Sequence, residues 1–154
     1  PNTPGLRQLQ TRTYLEGLLR AVVNTRNTLS PRVPLLVKLA PDLSEADLDE
    51  VLAVVTALEI DGLIATNTTV SRANLPQAAQ ALAGGLSGAP LTHRSTEVIH
   101  YLARRTALPI IGVGGIMNAA DAQAKLDAGA TLIQIYTGLV YAGPSLVKAI
   151  KMKV

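Results

Sequence analysis

Polar side chains and glycines stand at the ends of four apolar segments of the chain, where a folded protein could use them to bind a ligand. The first segment contains Lys38 as its one charged residue, and the second ends in the polar stretch 66–69. The third ends in the glycine-rich stretch 112–115, and the fourth ends in the stretch 136–138. Ligands of parallel α/β proteins bind at the carboxyl ends of the strands, so we expect these stretches to meet at one site.

The stretch Gly112-Val113-Gly114-Gly115 predicts a close approach between backbone and an anionic ligand. Glycines let a backbone come near a ligand, and exposed N–H groups in such turns can bind an anion. A dinucleotide-binding fingerprint would need a third glycine where Met117 stands, and the Gly-Lys-Ser/Thr of a P-loop is absent. We therefore expect a phosphate site shared with the next strand end, the alternative being an ordinary tight turn.

Two further residues of the strand ends predict a polar or anionic ligand. An ammonium group inside an apolar strand is costly unless it meets an anion, so Lys38 is expected to face one, or else to extend into solvent. Asn67 can donate and accept hydrogen bonds toward a planar polar ligand, or it can mark a turn. His93 and His100 each stand alone and the chain has no Cys, so no metal site is predicted.

The elements that must position these residues are parallel strands alternating with helices. Apolar residues run almost without interruption through the four segments, as in parallel strands covered on both faces; the segments are 33–40, 62–67, 108–115 and 131–137. Apolar residues at helical spacing and capping residues predict helices over 13–27, from Ser44, from Ser95, from Asn118 to Gly129, and from Pro144. The segment 70–94 shows neither periodicity, and an insertion of that length is usually functional.

These elements predict an α/β fold of four βα units in a single segment, residues 1–154. Four units are half of a (β/α)8 barrel, although they could also form a small doubly wound sheet.

Only 16% of the residues are charged, which indicates a surface covered by another subunit or by further chain. The 14 Lys and Arg residues are scattered and the only aromatic residues are four Tyr, so nucleic-acid binding is not expected. No apolar run has the length of a membrane span, and no signal-peptide pattern is present.

Short motifs are distributed along the whole chain, at 1–7 (PNTPGLR), 37–43 (VKLAPDL), 61–69 (DGLIATNTT), 84–88 (GGLSG), 110–115 (IIGVGG) and 134–137 (QIYT). In this order they resemble the dihydroorotate dehydrogenase family, in particular its class 2, quinone-dependent branch. The resemblance implies that the chain is the C-terminal half, strands 5–8, of a TIM (β/α)8 barrel that holds FMN at its mouth. The N-terminal half of the barrel would then lie outside this chain.

The resemblance also implies roles for individual residues. Lys38 would lie beside the flavin ring, where its charge stabilises the reduced flavin, and Thr66 would contact the flavin. Dihydroorotate would be bound by Asn2, Asn67 and Thr68. The FMN phosphate and ribityl chain would be bound by Gly88, Gly114, Gly115, Tyr136 and Thr137.

The implied activity is the oxidation of (S)-dihydroorotate to orotate in de novo pyrimidine biosynthesis. A hydride would leave C6 for flavin N5 while a base removes the C5 proton, and the electrons would then pass from flavin to quinone. In this branch the base is a serine immediately before the motif that begins at Pro1, so no catalytic base is expected within the chain, and activity is expected only together with the missing half. The quinone and membrane contacts would belong to an N-terminal region outside the chain. This implies a bacterial flavoprotein bound peripherally at the cytoplasmic side of the inner membrane.

Two other functions remain compatible with the residues. One is a different phosphate- or FMN-binding barrel enzyme that acts on another substrate. The other is a non-catalytic half-barrel that pairs with a second copy of itself and binds at most a phosphate compound. The second alternative arises because an open four-stranded parallel sheet leaves two edges and one apolar face uncovered.

Overall fold

A parallel four-stranded sheet lies at the centre of the computed structural model, which describes residues 5–73 and 75–153. The strands are β1 (Leu36–Leu39), β2 (Gly62–Ala65), β3 (Ile110–Val113) and β4 (Leu132–Gln134). Their order in the sheet is β1-β2-β3-β4, and each strand pairs in parallel with the next. Every connection therefore crosses back over the sheet, which confirms the βα repeat expected from the sequence.

Four helices begin close to the residues that the sequence indicates, and two short helices, Gln77–Gln80 and Thr137–Ala142, are ones that the sequence does not predict. The helices are α1 (Arg12–Arg26), α2 (Glu45–Ala57), α3 (Gln77–Gln80), α4 (Thr92–Ala103), α5 (Ala119–Asp127), α6 (Thr137–Ala142) and α7 (Pro144–Lys153), with 3₁₀ turns at Leu6–Gln10 and Ala89–Leu91. Ser44 and Asp47 form a reciprocal capping box that starts α2. The Asn118 side chain accepts the Asp121 N–H at 3.0 Å and so starts α5.

The start of α4 differs from the prediction that Ser95 caps this helix. The helix already begins at Thr92, because the preceding 3₁₀ turn with Pro90 brings the chain into helical geometry before Ser95 is reached. Ser95 lies inside the helix and is fully buried. Its hydroxyl donates to the Gly114 carbonyl at 2.8 Å, so the serine binds a strand end instead of capping a helix.

The strands are shorter than the apolar segments that predicted them. Pro34 and Pro109 have no N–H group for the ladder, so β1 and β3 begin only after these residues. At the other end of β3, Gly114 adopts φ +115° and leaves the extended conformation. Hydrophobicity therefore located the strands, and backbone chemistry determined their ends.

The core lies between one face of the sheet and the helices α1, α2 and α4. Its fully buried members include Leu39 and Leu63 from the strands, and Ile99 and Leu102 from α4. Burying each such side chain contributes about 1.5–3 kcal/mol to folding. The sheet is therefore anchored firmly on this side.

The opposite face of the sheet carries a row of residues that we call the inner row: Lys38, Ile64, Ile111 and Leu132, in register across the four strands. Side chains in parallel register share a face, so these four point away from the core side. Lys38 is exposed, Leu132 is 60% exposed, and the two isoleucines are half-buried. The described residues thus leave this face largely uncovered.

The segment 70–94, for which the sequence predicts no regular element, contains short pieces of structure. It includes α3 and the 3₁₀ turn Ala89–Leu91, and Leu86 forms an isolated antiparallel bridge with Thr69. The Arg72 side chain donates to the Gly84 carbonyl and to the Thr69 carbonyl. These bonds hold the segment against the loop that follows β2.

Asp61 joins three parts of the chain immediately before β2. Its Oδ2 accepts the Leu35 N–H at 2.7 Å and Arg26 Nη1 at 3.0 Å, and its Oδ1 accepts Arg32 Nη2 at 2.7 Å. The Leu35 N–H is the largest influence and, with Arg32 and Arg26, it outweighs partial desolvation and lowers the pKa of Asp61. The carboxylate therefore stabilises the fold in its charged form.

We expect Asp61→Asn to lower the free energy of unfolding at neutral pH by about 1–3 kcal/mol, because the buried Arg26 loses its charged acceptor. Since the folded-state pKa lies below the ordinary value of 3.8, the carboxylate contributes fully above that value, and the contribution is lost as pH falls through the folded pKa. Urea unfolding of both proteins across acidic pH should show a stability difference that shrinks on acidification. A difference that stays constant down to the acid limit of folding would contradict this assignment.

Candidate functional site

The carboxyl ends of all four strands open on one cavity of about 230 Å³. The strand ends contribute to its lining Lys38, Thr66, Asn67, Thr68, Val113, Gly114, Gly115, Ile116, Gln134, Ile135, Tyr136, Thr137 and Gly138. The segment 70–94 adds Ser87 and Gly88, and the 3₁₀ turn before α4 adds Leu91. The expectation that the four strand-end stretches meet at one site is confirmed.

The structure brings together every predicted site residue that it describes. Those that line the cavity are Lys38, Thr66, Asn67, Thr68, Gly88, Gly114, Gly115, Tyr136 and Thr137. Asn2 lies outside the described residues. His93 is away from the cavity, on α4, where it faces Glu97 at 3.2 Å. Within the ranges 5–73 and 75–153, no group of His, Asp and Glu is arranged to hold a metal ion, and no helix is long and apolar enough to cross a membrane.

The glycine stretch after β3 is bound through its carbonyl groups to the side chains of α4. Ser95 Oγ donates to the Gly114 carbonyl at 2.8 Å, and Thr92 Oγ1 donates to the Gly115 carbonyl at 2.6 Å. In the part of the chain that the structure describes, the N–H groups of Gly115 and Ile116 have no acceptor, although both residues line the cavity. These N–H groups are therefore available to an anionic ligand.

Two glycines allow the loops around the cavity to pack backbone against backbone. A Cβ on Gly115 would lie 2.2 Å from the Thr92 nitrogen, and its φ of +69° also favours glycine. A Cβ on Gly138 would lie 2.1 Å from the Ile116 carbonyl oxygen. The loop after β3 is thus in direct contact with both α4 and the start of α6.

The segment 70–94 is joined to the same cavity by the side chain of Thr137. Thr137 Oγ1 donates to Ser87 Oγ at 2.9 Å. Gly88 has φ +80°, and a Cβ there would lie 3.1 Å from Thr137 Cγ2. The prediction that this segment is part of the site agrees with its position.

Lys38 is the cationic side chain among the described residues that line the cavity. Its side chain is exposed, and within the described residues it has no hydrogen bond or salt bridge. The sequence analysis expected an anionic partner because burial of the charge would be costly. Since the Lys38 side chain is exposed, that cost does not arise within the described residues. Its position in the inner row, at the edge of a cavity lined by free N–H groups, still places a positive charge where an anionic ligand would bind.

Hydrogen bonds of Asn67 hold it in the loop after β2. Its Oδ1 accepts the N–H of the next residue, Thr68, at 2.9 Å, and its own N–H donates to the Leu39 carbonyl at 2.7 Å. Thr66 N–H donates to the Val113 carbonyl at 2.7 Å, so the loop after β2 is bonded to both neighbouring strands. The two amide hydrogens of Asn67 have no acceptor in the described part of the chain and can donate to a ligand.

Lys125 on α5 is a functional candidate that the sequence analysis did not identify. It is fully buried, and its Nζ donates to the Thr92 carbonyl at 2.6 Å and to Thr96 Oγ1 at 2.5 Å. Burial, partly offset by Asp121, lowers the pKa of Lys125 to about 8. No local sequence signal marks this position, because both acceptors of Lys125 lie on another helix, α4.

The fold and site together define the class of protein: four consecutive βα units of a (β/α)8-type barrel with a cavity at the carboxyl ends of the strands. A family model described as dihydroorotate dehydrogenase matches residues 1–154, and the chain belongs to this family. The family resemblance expected from the sequence motifs is thereby confirmed.

Similar proteins include named members of the family. The chain is 56% identical over 152 residues to the dihydroorotate dehydrogenase (quinone) of Anaeromyxobacter dehalogenans (strain 2CP-C), a match that covers 96% of the chain and 41% of that protein. It is 48% identical to the dihydroorotate dehydrogenase (quinone) of Christiangramia forsetii, with 100% and 46% covered. The chain thus spans less than half the length of these relatives.

Solved structures of the family share the fold. The DHODH of Eimeria tenella in complex with ferulenol superposes with a TM-score of 0.90 and 32% sequence identity, covering 99% of this chain and 46% of that chain. The ligand-free form from the same organism gives a TM-score of 0.91 and 34% identity, covering 99% and 47%. The prediction of an α/β half of a TIM barrel is confirmed over the matching region.

Proposed function

We propose that this chain forms the FMN- and dihydroorotate-binding mouth of a quinone-dependent dihydroorotate dehydrogenase, which oxidises (S)-dihydroorotate to orotate in pyrimidine biosynthesis. The named relatives at 48% and 56% identity support this activity. The observation that carries the proposal is the cavity itself. The cavity of this family member is lined by the free N–H groups of Gly115 and Ile116, by the cation of Lys38 and by the amide of Asn67.

The donors of the cavity fit the phosphate end of FMN. Membership of this family implies a flavin cofactor, and a phosphate group needs several hydrogen-bond donors and no neighbouring carboxylate. The cavity lining contains no Asp or Glu among the described residues, whereas it offers backbone N–H groups and the Thr137 hydroxyl. We assign the phosphate and ribityl chain to Gly88, Gly114, Gly115, Tyr136 and Thr137.

The other cavity residues would then serve the ring and the substrate. Lys38 would place its positive charge beside the flavin ring, and Thr66, which is 2% exposed, would contact the flavin from the loop after β2. Asn67 and Thr68 would donate hydrogen bonds to dihydroorotate, and Asn2 would contact it from outside the described residues. Bound FMN would supply the acceptor for the hydride that leaves substrate C6, while the C5 proton leaves to a base.

The remaining parts of the proposed enzyme lie outside the described residues. The base is expected to be the serine before the motif at Pro1, and the quinone and the cytoplasmic face of the inner membrane would meet an N-terminal region. Four further strands would cover the inner row, whose Leu132 is 60% exposed. Half-barrel pairing with a second copy would cover the same face, and a monomeric sedimentation profile of the purified chain would contradict that pairing.

A graft tests the proposed activity in a complete enzyme. The matched 152 residues of the Anaeromyxobacter relative are replaced by this chain, with which they are 56% identical. We expect the purified graft to retain FMN and to reduce a quinone analogue in a dihydroorotate-dependent reaction. A folded graft that contains FMN but leaves dihydroorotate unoxidised would overturn the substrate assignment. A folded graft without flavin would overturn the cofactor assignment.

Lys38→Ala in the graft is expected to weaken FMN retention and to slow flavin reduction by dihydroorotate by about tenfold or more, because a charge-assisted contact contributes about 1.5–3 kcal/mol. Rapid-mixing absorbance measures the reduction, and dialysis against FMN-free buffer measures retention. Lys148→Ala is the matched control, since Lys148 is exposed on α7 and outside the cavity. Reduction kinetics equal to those of the control would remove Lys38 from the site.

A further inference from the structure

Behind the glycine stretch, a series of hydrogen bonds connects α5 to the backbone that lines the cavity. Lys125 Nζ donates to the Thr92 carbonyl at 2.6 Å, and Thr96 Oγ1 donates to the same carbonyl at 2.8 Å. Thr92 in turn donates through Oγ1 to the Gly115 carbonyl at 2.6 Å. The first turn of α4 is therefore held on one side by a buried cation, and it holds the glycine stretch on the other.

Ser95 makes the equivalent contact one peptide earlier. Its side chain is fully buried, and its hydroxyl donates to the Gly114 carbonyl at 2.8 Å. Thr92 and Ser95 thus bind two successive carbonyls of the loop. Neither residue lines the cavity, so neither hydroxyl is among the candidate ligand-binding groups described above.

The planarity of the peptide bond gives these two contacts a consequence on the cavity side. In a trans peptide the carbonyl of one residue and the N–H of the next point in opposite directions. Fixing the Gly114 carbonyl toward Ser95 therefore directs the Gly115 N–H away from α4, and fixing the Gly115 carbonyl toward Thr92 directs the Ile116 N–H in the same way. Neither of these two N–H groups has an acceptor in the described ranges.

We propose that Thr92 and Ser95 are positioning residues for phosphate selectivity: their hydroxyls hold two peptide planes so that the N–H groups of Ile116 and Gly115 face the phosphate of FMN. The inference rests on the proposed function, because it assumes that the anion in the cavity is this phosphate. Neither hydroxyl contacts the ligand. Both act through the backbone of the glycine stretch.

A merely structural role would have a different signature. If the hydroxyls only stabilised the fold, their removal would weaken binding of FMN and of riboflavin, which is FMN without the phosphate, by the same factor. If they position the phosphate-binding N–H groups, their removal weakens FMN binding alone. The ratio of the two affinities therefore separates the two roles.

The experiment measures dissociation constants for FMN and riboflavin by flavin fluorescence, in the 154-residue chain and in the graft freed of flavin. The variants are Thr92→Val, which keeps the shape and removes the hydroxyl, Thr92→Ser, which restores it, and Ser95→Ala. Thr25→Val is the matched control, because Thr25 is exposed and its hydroxyl donates to the Ala21 carbonyl of its own helix at 3.1 Å. Circular dichroism verifies that each variant is folded.

We expect Thr92→Val and Ser95→Ala each to reduce the preference for FMN over riboflavin by about tenfold. This is the effect expected when one hydrogen bond that orients a phosphate-binding N–H group is lost. Thr92→Ser should restore most of it, and Thr25→Val should leave it unchanged. An unchanged preference in the folded variants would overturn the inference and leave the proposed function standing. A wild-type protein with no preference for FMN over riboflavin would overturn both. If Thr92→Val does not fold, Ser95→Ala decides the question, because it removes the hydroxyl that donates to the Gly114 carbonyl.

Discussion

Gly115→Ala is expected to abolish detectable FMN binding and to lower the free energy of unfolding by about 2–4 kcal/mol. The new Cβ would lie 2.2 Å from the Thr92 nitrogen and 2.4 Å from the Thr92 Cα. Both are backbone atoms at the start of α4, so no side-chain rotation relieves the overlap. The φ of +69° adds strain for any residue other than glycine. Relief of the overlap must move the glycine stretch away from α4 and misdirect the N–H groups at the cavity.

Two other glycines provide controls for this prediction. Gly84 has φ +105°, but a Cβ added there would meet no atom within 4 Å, so Gly84→Ala measures backbone strain without a clash. Gly17 lies inside α1 with open space around it, and Gly17→Ala should stabilise the protein by up to about 1 kcal/mol. Denaturant unfolding and FMN titration of the three variants give the comparison. If Gly115→Ala resembled Gly84→Ala in both measurements, close packing of the glycine stretch on α4 would not matter for binding.

Asn67→Ala in the graft is expected to lower kcat/KM for dihydroorotate by about 10- to 100-fold while the affinity for FMN changes less than about twofold. The reason is that the oxygen and the amide hydrogens of the Asn67 side chain have different roles. Its oxygen accepts the Thr68 N–H at 2.9 Å and so shapes the loop, which leaves both amide hydrogens for the substrate. Steady-state kinetics with FMN saturating gives kcat/KM, and fluorescence titration gives the flavin affinity.

Two further variants help to interpret this result: Asn67→Asp separates the acceptor from the donors, and Asn24→Ala is the control. Aspartate keeps the acceptor for the Thr68 N–H but loses the two donors, so we expect it to retain loop structure and lose substrate affinity as alanine does. Asn24 is an exposed residue of α1, and Asn24→Ala should leave both constants unchanged. An Asn67→Asp variant with normal kinetics would show that only the oxygen that accepts the Thr68 N–H matters and that Asn67 does not bind substrate.

The fold and most of the cavity could be predicted because their determinants are local in the sequence. Uninterrupted apolar runs ending in polar or glycine residues mark parallel strands, and the carboxyl ends of such strands meet at one edge of a sheet. Lys38 and the stretch 66–68 could therefore be assigned to one site before any distance was known. The capping residues Ser44 and Asn118 act within one helical turn, and both helix starts were predicted correctly.

The errors and omissions concern residues whose role depends on distant partners. Ser95 has the side chain of a helix cap, yet its partner is the Gly114 carbonyl at the end of a strand, which no local pattern reveals. In the sequence Lys125 looks like one more surface lysine of α5, because its acceptors, the Thr92 carbonyl and the Thr96 hydroxyl, belong to another helix, α4. Pro34 and Pro109 shortened two strands for a reason that hydrophobicity does not measure.

The contact of Gly138 with the Ile116 carbonyl has a consequence for the entropy of ligand binding. Together with the Thr137–Ser87 hydrogen bond of 2.9 Å, it joins the loops after β3 and β4 and the segment 70–94 into one packed unit. Loops that already restrain one another lose little conformational freedom when a ligand arrives, so more of the interaction energy remains as affinity. The heat-capacity change of FMN binding should then reflect the burial of the ligand itself, without a contribution from loops that fold around it.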